Sequence, residues 1–197
     1  MKAWYYAALC LVLLLIPTTG GRRAGSEQAM PAQTFLAPSN PSAISPYDNL
    51  IRHYADSIGW DWRLLSAIIY HESRFHNDAQ SHKGAVGLMQ ILSDRYTDEY
   101  LLTPANNLKV GTRYLLRLQN MYRKGAANEQ DATLFALAAY NVGEGRVNQL
   151  IQETGDAGED ASRWAVVSCH LPAGHHTVSY VENVLNTYTY YTRVYPR

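Results

Sequence analysis

The chain predicts an all-α domain. Apolar residues recur at i, i+3, i+4 and i+7 through successive segments, capping residues and glycines punctuate them, and no segment alternates as a half-buried strand would. No internal repeat is evident. At 197 residues the length suits one domain with a tail. A composition 47% hydrophobic and 17% charged, with Cys10 and Cys169 its only cysteines, excludes a disordered chain and a disulfide-dense miniprotein.

The first segment is not part of that domain. Lys2 precedes an apolar run from Trp4 to Ile16 that is too short for a comfortable membrane span. Small residues Thr18 and Gly20 suit a cleavage site, so residues 1–21 read as a signal peptide or an uncleaved N-terminal anchor. The chain is expected to be exported, to the periplasm or cell envelope. Cys10 lies inside the apolar run, so removal of the signal would leave Cys169 alone and stability to packing. Residues 22–45, rich in Gly, Ser, Ala and Gln with Pro31, Pro38 and Pro41, read as a flexible linker.

The domain is expected over residues 46–197. Ser45, Pro46 and Asp48 combine three helix-start signals, and Tyr47, Leu50, Ile51, Tyr54, Ala55 and Ile58 form a stripe ending at Gly59. Asp61 caps a second helix to about Ser73, whose apolar stripe of Leu64, Leu65, Ile68 and Ile69 contains Glu72. Gly84 to Leu92 reads as a small-residue turn entering a short helix. A helix is expected from about Asn107 to Arg123, stopped by Gly125. Another, capped by Asp131, covers Ala132 to Asn141, where Ala136, Ala138 and Ala139 allow close packing. Gly143 and Gly145 then break the chain before a short helix from Arg146 to Glu153. Thr154 to Arg163 reads as an acidic loop, and Val178, Val181, Val184, Leu185, Tyr188 and Tyr191 mark a final helix.

A carboxylate on an apolar helix face loses hydration, which raises its pKa and suits it to act as a general acid. Glu72 fits that description, and it fits equally a boundary residue paired with Arg63 or Arg74. His71 and His76 are spaced HExxxH, and five residues at ~100° each turn the second imidazole away from the first, so no metal site is expected. No phosphate-loop, dinucleotide or G-x-S-x-G pattern occurs, and no cofactor is implied. The balance of 17 Lys+Arg against 17 Asp+Glu argues against nucleic-acid binding. An excess of 15 Tyr over 3 Phe and 4 Trp supplies flat faces with a polar handle, as carbohydrate grooves and ordinary rims both use.

Four elements in order sharpen the choice: Glu72-Ser73, Gly87-Leu88-Met89-Gln90, Ala139-Tyr140-Asn141 and Tyr180-Val181, with Asn107-Leu108 and Gly111-x-x-Tyr114-Leu115 between them. Together they resemble the SLT-type lytic transglycosylases, relatives of goose-type lysozyme, over about Tyr47 to Tyr191. Within that family the likeness points to the catalytic domain of the membrane-bound F branch. The resemblance implies a lysozyme-like helical domain with a substrate groove. It also implies non-hydrolytic cleavage of the MurNAc-β-1,4-GlcNAc bond of peptidoglycan to 1,6-anhydroMurNAc ends, with Glu72 as acid and then base. Ser73 and Ser81 would lie beside the acid and the scissile sugars. Gln90 would bond a sugar, Met89 would line the groove, and Gly87 would admit the glycan. Tyr140 would border the site, Asn141 would contact sugar or end its helix, and Tyr180 would orient Glu72 or simply extend the last stripe.

One departure is that many relatives carry Glu-Thr shortly before the last Tyr, where this chain has His176-Thr177. Two other readings remain open. A muramidase would hydrolyse the same bond but would want a second carboxylate, and a non-catalytic peptidoglycan-binding component of an envelope apparatus would not need Glu72. The tether would also suit recruitment by secretion or conjugation machinery.

Overall fold

A computed structural model describes residues 43–172 and 174–195; the expected signal or anchor and nearly all of the expected linker lie outside them. The described residues form α1 (Asp48–Ile58), α2 (Trp62–Ser73), α3 (Asp98–Leu101), α4 (Pro104–Tyr122), α5 (Glu129–Val142), α6 (Glu144–Asp156), α7 (Trp164–Val167), a 3-10 turn (Ser168–His170) and α8 (His176–Val194). The extended pairings are the isolated bridges Gln80 to Val86 and Val86 to Ile91, both antiparallel, so the all-α expectation holds. These residues divide into two compact units, 43–113 with 186–195 and 114–185. Helix α4 gives residues 104–113 to the first unit and 114–122 to the second, and α8 gives 176–185 to the second and 186–194 to the first.

In the first unit α1 packs on α2. The stripe read from the sequence supplies the contact, with Leu50, Ile51 and Ala55 buried on one helix and Leu64, Leu65, Ile68 and Ile69 on the other. Each fully buried aliphatic side chain of this size stabilises by about 1.5–3 kcal/mol. Helix α1 starts at Asp48, later than the sequence signals placed it. The Asp48 carboxylate draws in the amides of Ile44 and Ser45, both at 2.9 Å, and leaves Pro46 and Tyr47 in a turn. Gly59 closes the helix in the left-handed conformation, φ 72°, as expected.

Asp61 caps α2, accepting the Arg63 N–H at 2.9 Å, and its carboxylate also holds the buried Arg63 guanidinium. Arg63 Nη1 donates to the Tyr195 carbonyl at 3.0 Å and the Tyr188 hydroxyl donates to Asp61 at 3.3 Å, so residues near the end of α8 complete a cluster begun at the start of α2. Breaking such a buried pair on one side costs about 3–5 kcal/mol.

The short helix expected after Gly84 is not there. Gly87 (φ 79°) and Gln90 (φ 48°) are both left-handed, which no α-helix accommodates, and the chain instead folds back so that Val86 and Ile91 exchange N–H···O bonds of 3.0 and 2.9 Å.

In the second unit the alanine-rich helix is central. Ala132, Ala136, Ala138 and Ala139 of α5 are fully buried, and Phe135 meets the buried Trp164 edge-on at 5.8 Å. Asn128, not Asp131, caps this helix by accepting the Asp131 N–H. Asp131 is drawn away to the Trp164 N–H at 2.9 Å, which fixes the start of α7. Gly143 (φ 90°) alone separates α5 from α6, and Gly145 lies within α6.

Candidate active site

Glu72 is the penultimate residue of α2, half-buried, with the fully buried Ile68 and Ile69 one turn earlier. Of the two arginines named from the sequence, Arg63 pairs with Asp61, and the Arg74 guanidinium lies 3.9 Å over the Tyr70 ring. The end of the helix is pinned on both sides of the acid. His71 Nε2 meets Thr187 Oγ1 at 2.8 Å, and Ser73 is buried with its hydroxyl donating to the Ile69 carbonyl at 3.3 Å. Ser73 thus shapes the helix end rather than presenting a hydroxyl to solvent. Arg74 (φ 53°) and Phe75 (φ 63°) then turn the chain through consecutive left-handed conformations.

The loop carrying Ser81, Gly87, Met89 and Gln90 belongs to the same unit. Ser81 is exposed and closes its own turn, accepting the Ala85 N–H at 3.0 Å. The Gln90 amide donates to the carbonyls of Ala79 and Gly87 at 3.1 and 3.0 Å, so one end of this side chain holds the loop. The resemblance has Met89 lining the groove and Gly87 admitting the glycan; Met89 lies in the interior, and Gly87 stands against Asn107. A Cβ on Gly87 would overlap the Asn107 amide, and the fully buried Met89 fills the space that Gly111 leaves. Both support the loop from within.

Asn107 is the residue the sequence reading undervalued. It is fully buried; its Oδ1 accepts the Met89 N–H at 2.7 Å, and its Nδ2 donates to the carbonyls of Val86 (2.8 Å) and Leu101 (2.9 Å). Reading Thr103-Pro104 as a helix start, which it is, would have put Asn107 a turn inside α4 beside Leu108 and exposed it as a polar group needing partners.

Tyr140, Asn141 and Tyr180 lie in the second unit. The half-buried Tyr140 ring rests 5.6 Å from that of Tyr114, which in turn carries the Arg117 guanidinium at 4.9 Å. Arg117 forms a bidentate pair with Glu144, the first residue of α6. Burial raises the Tyr114 phenol, and the Glu144 charge adds to the effect. Asn141 is exposed and accepts the Thr177 hydroxyl at 3.1 Å, which joins the end of α5 to the first turn of α8. Tyr180 is half-buried, one turn further along.

At the departure noted above, His175 and His176 stack at 4.3 Å and the Thr177 N–H donates to His175 Nδ1 at 3.2 Å. His175 is held below its ordinary value, first by burial, then by His176 and Arg146. Among the described residues no group of three or more His, Cys, Asp and Glu is arranged to hold a metal. A pocket of about 120 Å³ in the second unit, lined by Met121, Tyr122, Phe135 and Ile151 among others, contains none of these site residues.

Residues 49–162 match the family described as transglycosylase SLT domain. A membrane-bound lytic murein transglycosylase F from Desulfosudis oleivorans is 33% identical over 164 residues, covering 71% of this chain and 35% of the relative. Its counterpart from Marinobacter nauticus is 34% identical, covering 83% of this chain and 36% of the relative. The chain thus spans about a third of the length of these curated relatives. Among solved structures, the 70 kDa soluble lytic transglycosylase from Escherichia coli superimposes with a TM-score of 0.57 at 26% identity, over 75% of this chain and 24% of that one. An inactive Glu-to-Gln mutant of the lytic transglycosylase Slt from Pseudomonas aeruginosa gives 0.51 at 26% identity, over 72% and 23%. The fold is that of these lysozyme-like enzymes.

Proposed function

The chain belongs to the transglycosylase SLT domain family, and on that premise we propose that it is a peptidoglycan lytic transglycosylase with Glu72 as its single acid/base. The carboxyl group donates its proton to the glycosidic oxygen as the bond to the muramic acid anomeric carbon breaks. The resulting carboxylate removes the proton of the muramoyl 6-hydroxyl as that oxygen attacks the same carbon. One C–O bond breaks and one forms, the proton returns to Glu72, and no water is consumed. The observation that carries this reading is the position of Glu72, half-buried at the end of a helix whose inner face is apolar and whose last turn is pinned by His71 and Ser73. The inactivity of the Pseudomonas aeruginosa Glu-to-Gln mutant supports one indispensable glutamate in that relative.

Gln90 and Ser81 in the first unit, and Tyr140, Asn141 and Tyr180 in the second, are the side chains proposed to meet glycan; within the first unit Gly87 and Met89 support the loop and Ser73 the end of α2 from the interior. The relatives named membrane-bound and acting on murein support a place in the cell envelope. Among the described residues no helix is long and apolar enough to cross a membrane. Residues 1–21, left uncleaved, are the segment proposed to give any membrane attachment. Recruitment by a secretion or conjugation apparatus would use the segment before residue 46.

The experiment is mass spectrometry of muropeptides released from purified sacculi by the protein and by Glu72→Gln. Anhydromuramoyl products from the parent alone are expected. Reducing-end muramic acid, heavier by one water, would replace this proposal with hydrolysis. Equal release by the variant would remove Glu72 from the chemistry.

A further inference from the structure

The segment between the Gly87–Gln90 loop and α4 carries a surface that the proposed chemistry does not use. Tyr96 and Tyr100 stack nearly parallel, centroids 5.3 Å apart and planes 13° apart, yet remain 40% and 37% exposed. Leu92, 67% exposed, lies on the same segment. Large apolar groups left together in water mark an interaction surface. A flat pair of phenol rings suits a ligand that offers an apolar face and keeps its polar groups at the edge.

The platform is built, not frayed. Thr97 caps α3 by accepting the Tyr100 N–H at 3.3 Å, and the Tyr100 carbonyl accepts the Asn106 amide at 3.2 Å. The next carbonyl, of Leu101, is held by Asn107, the same side chain that holds Val86 and Met89. Leu92 reaches back to Gly84, its Cδ1 3.8 Å from where a Cβ on that glycine would stand. One buried asparagine therefore fixes the platform and the Gly87–Gln90 loop to each other within the first unit. The charged residues that flank the rings in sequence, Asp94, Asp98 and Glu99 against Arg95, are all exposed and predominantly acidic. They repel carboxylates such as those of a stem peptide.

We propose that Tyr96 and Tyr100 form a saccharide-stacking subsite that takes a neutral N-acetylhexosamine ring of the glycan strand, one without an acidic substituent. The proposal rests on the glycan-cleaving reading above. The pyranose C–H face lies on the exposed ring face, its hydroxyl and acetamido groups stay in water, and the acidic surround disfavours a peptide-bearing sugar at this position.

The test uses the full chain, its Tyr96→Ala/Tyr100→Ala double variant and its Tyr96→Phe/Tyr100→Phe double variant. Binding is measured with the hexamer of N-acetylglucosamine, and turnover with purified sacculi. The alanine pair is expected to raise the hexamer Kd and the sacculus KM about tenfold, with kcat within about twofold, because only stacking is lost. The phenylalanine pair keeps the ring faces and should stay within about twofold of the parent on every measure. Unchanged Kd and KM in the alanine pair overturn the platform. A change in oligomeric state without a change in glycan affinity also overturns it and assigns the patch to a second copy of the chain. If the parent binds the hexamer but releases nothing from sacculi, the activity reading fails and the Kd comparison alone decides the platform. If the parent binds neither, both fall together.

Discussion

Arg74, Phe75 and Gln90, all in the first unit, adopt positive φ without being glycine, whereas in the second unit the described positive-φ residues are Gly143, Gly158 and Gly174. Left-handed backbone costs a side-chain-bearing residue on the order of 1–3 kcal/mol and persists only where the surroundings over-determine it. The first unit supplies that restraint with polar contacts. Arg74 donates its N–H to the Tyr70 carbonyl at 3.1 Å and rests its guanidinium on the Tyr70 ring, while Gln90 is held by its own amide and by a loop anchored on Asn107. The second unit relies on close alanine packing and breaks its chain at glycine, so the helix bearing Tyr140 and Asn141 ends without stored strain. Among the described residues, left-handed strain at side-chain-bearing positions is thus confined to the unit with Glu72 and Gln90, where side chains are aimed by backbone turns; in the other unit they are aimed by packed helices.

Removing the restraint should have the largest effect. Asn107→Ala removes the bonds that this buried amide makes to the backbone of Met89, Val86 and Leu101 and should destabilise by about 3 kcal/mol in urea unfolding. A loss under about 1 kcal/mol would mean that the loop is held by something other than this amide. Next, Gly143→Ala places a Cβ at φ 90°, ψ 144°, a conformation nearly confined to glycine, and should cost about 2 kcal/mol. Arg74→Gly should do far less, under about 1 kcal/mol in either direction, since relief of the left-handed strain offsets the lost cation–π contact and the added chain entropy. A loss larger than that of Gly143→Ala would reverse the comparison.

The smallest effect is a pH dependence in the second unit. The folded His175 value lies below the ordinary 6.5, so the unfolded chain binds the extra proton first. The stability contributed is fully present above about 6.5 and is lost as pH falls through the lower folded value. Protonation also removes the Nδ1 acceptor of the Thr177 N–H. His175→Gln should flatten the melting temperature between pH 7.5 and 5.5, measured by circular dichroism. An unchanged slope would assign the pH dependence to other groups.

What could be read from the sequence was what is decided locally. The stripe around Glu72, the Asp61 cap and the Gly59 stop each depend on residues within a turn or two, and the structure has all three. The acid itself stood out because a carboxylate interrupts an apolar face. The misread segment, Gly84 to Leu92, is a short apolar run in which periodicity cannot separate helix from turn, and Asn107, far along the chain, decides it. Likewise the sequence points to Asp131 as the cap of α5, whereas Asn128 takes that role and Asp131 is drawn to Trp164, 33 residues later. The fit of Met89 to Gly111 and of Gly87 to Asn107 is a long-range complementarity that leaves no local mark in the sequence. The four motif elements identify the family.

The closure of α2 by the end of α8 has a consequence for biogenesis. Asp61 and Arg63 are among the earlier residues of the first unit to be synthesised, but the Tyr188 hydroxyl and the Tyr195 carbonyl that complete their cluster are among the last. A nascent chain that has emerged only to residue 185 holds this charged pair without those partners, and Thr187 is not yet there to meet His71 beside Glu72. The acid-bearing unit therefore cannot close from the N-terminus onward. Its closure follows the synthesis of α8, so the contacts that pin both ends of α2 form after the rest of the unit has been made.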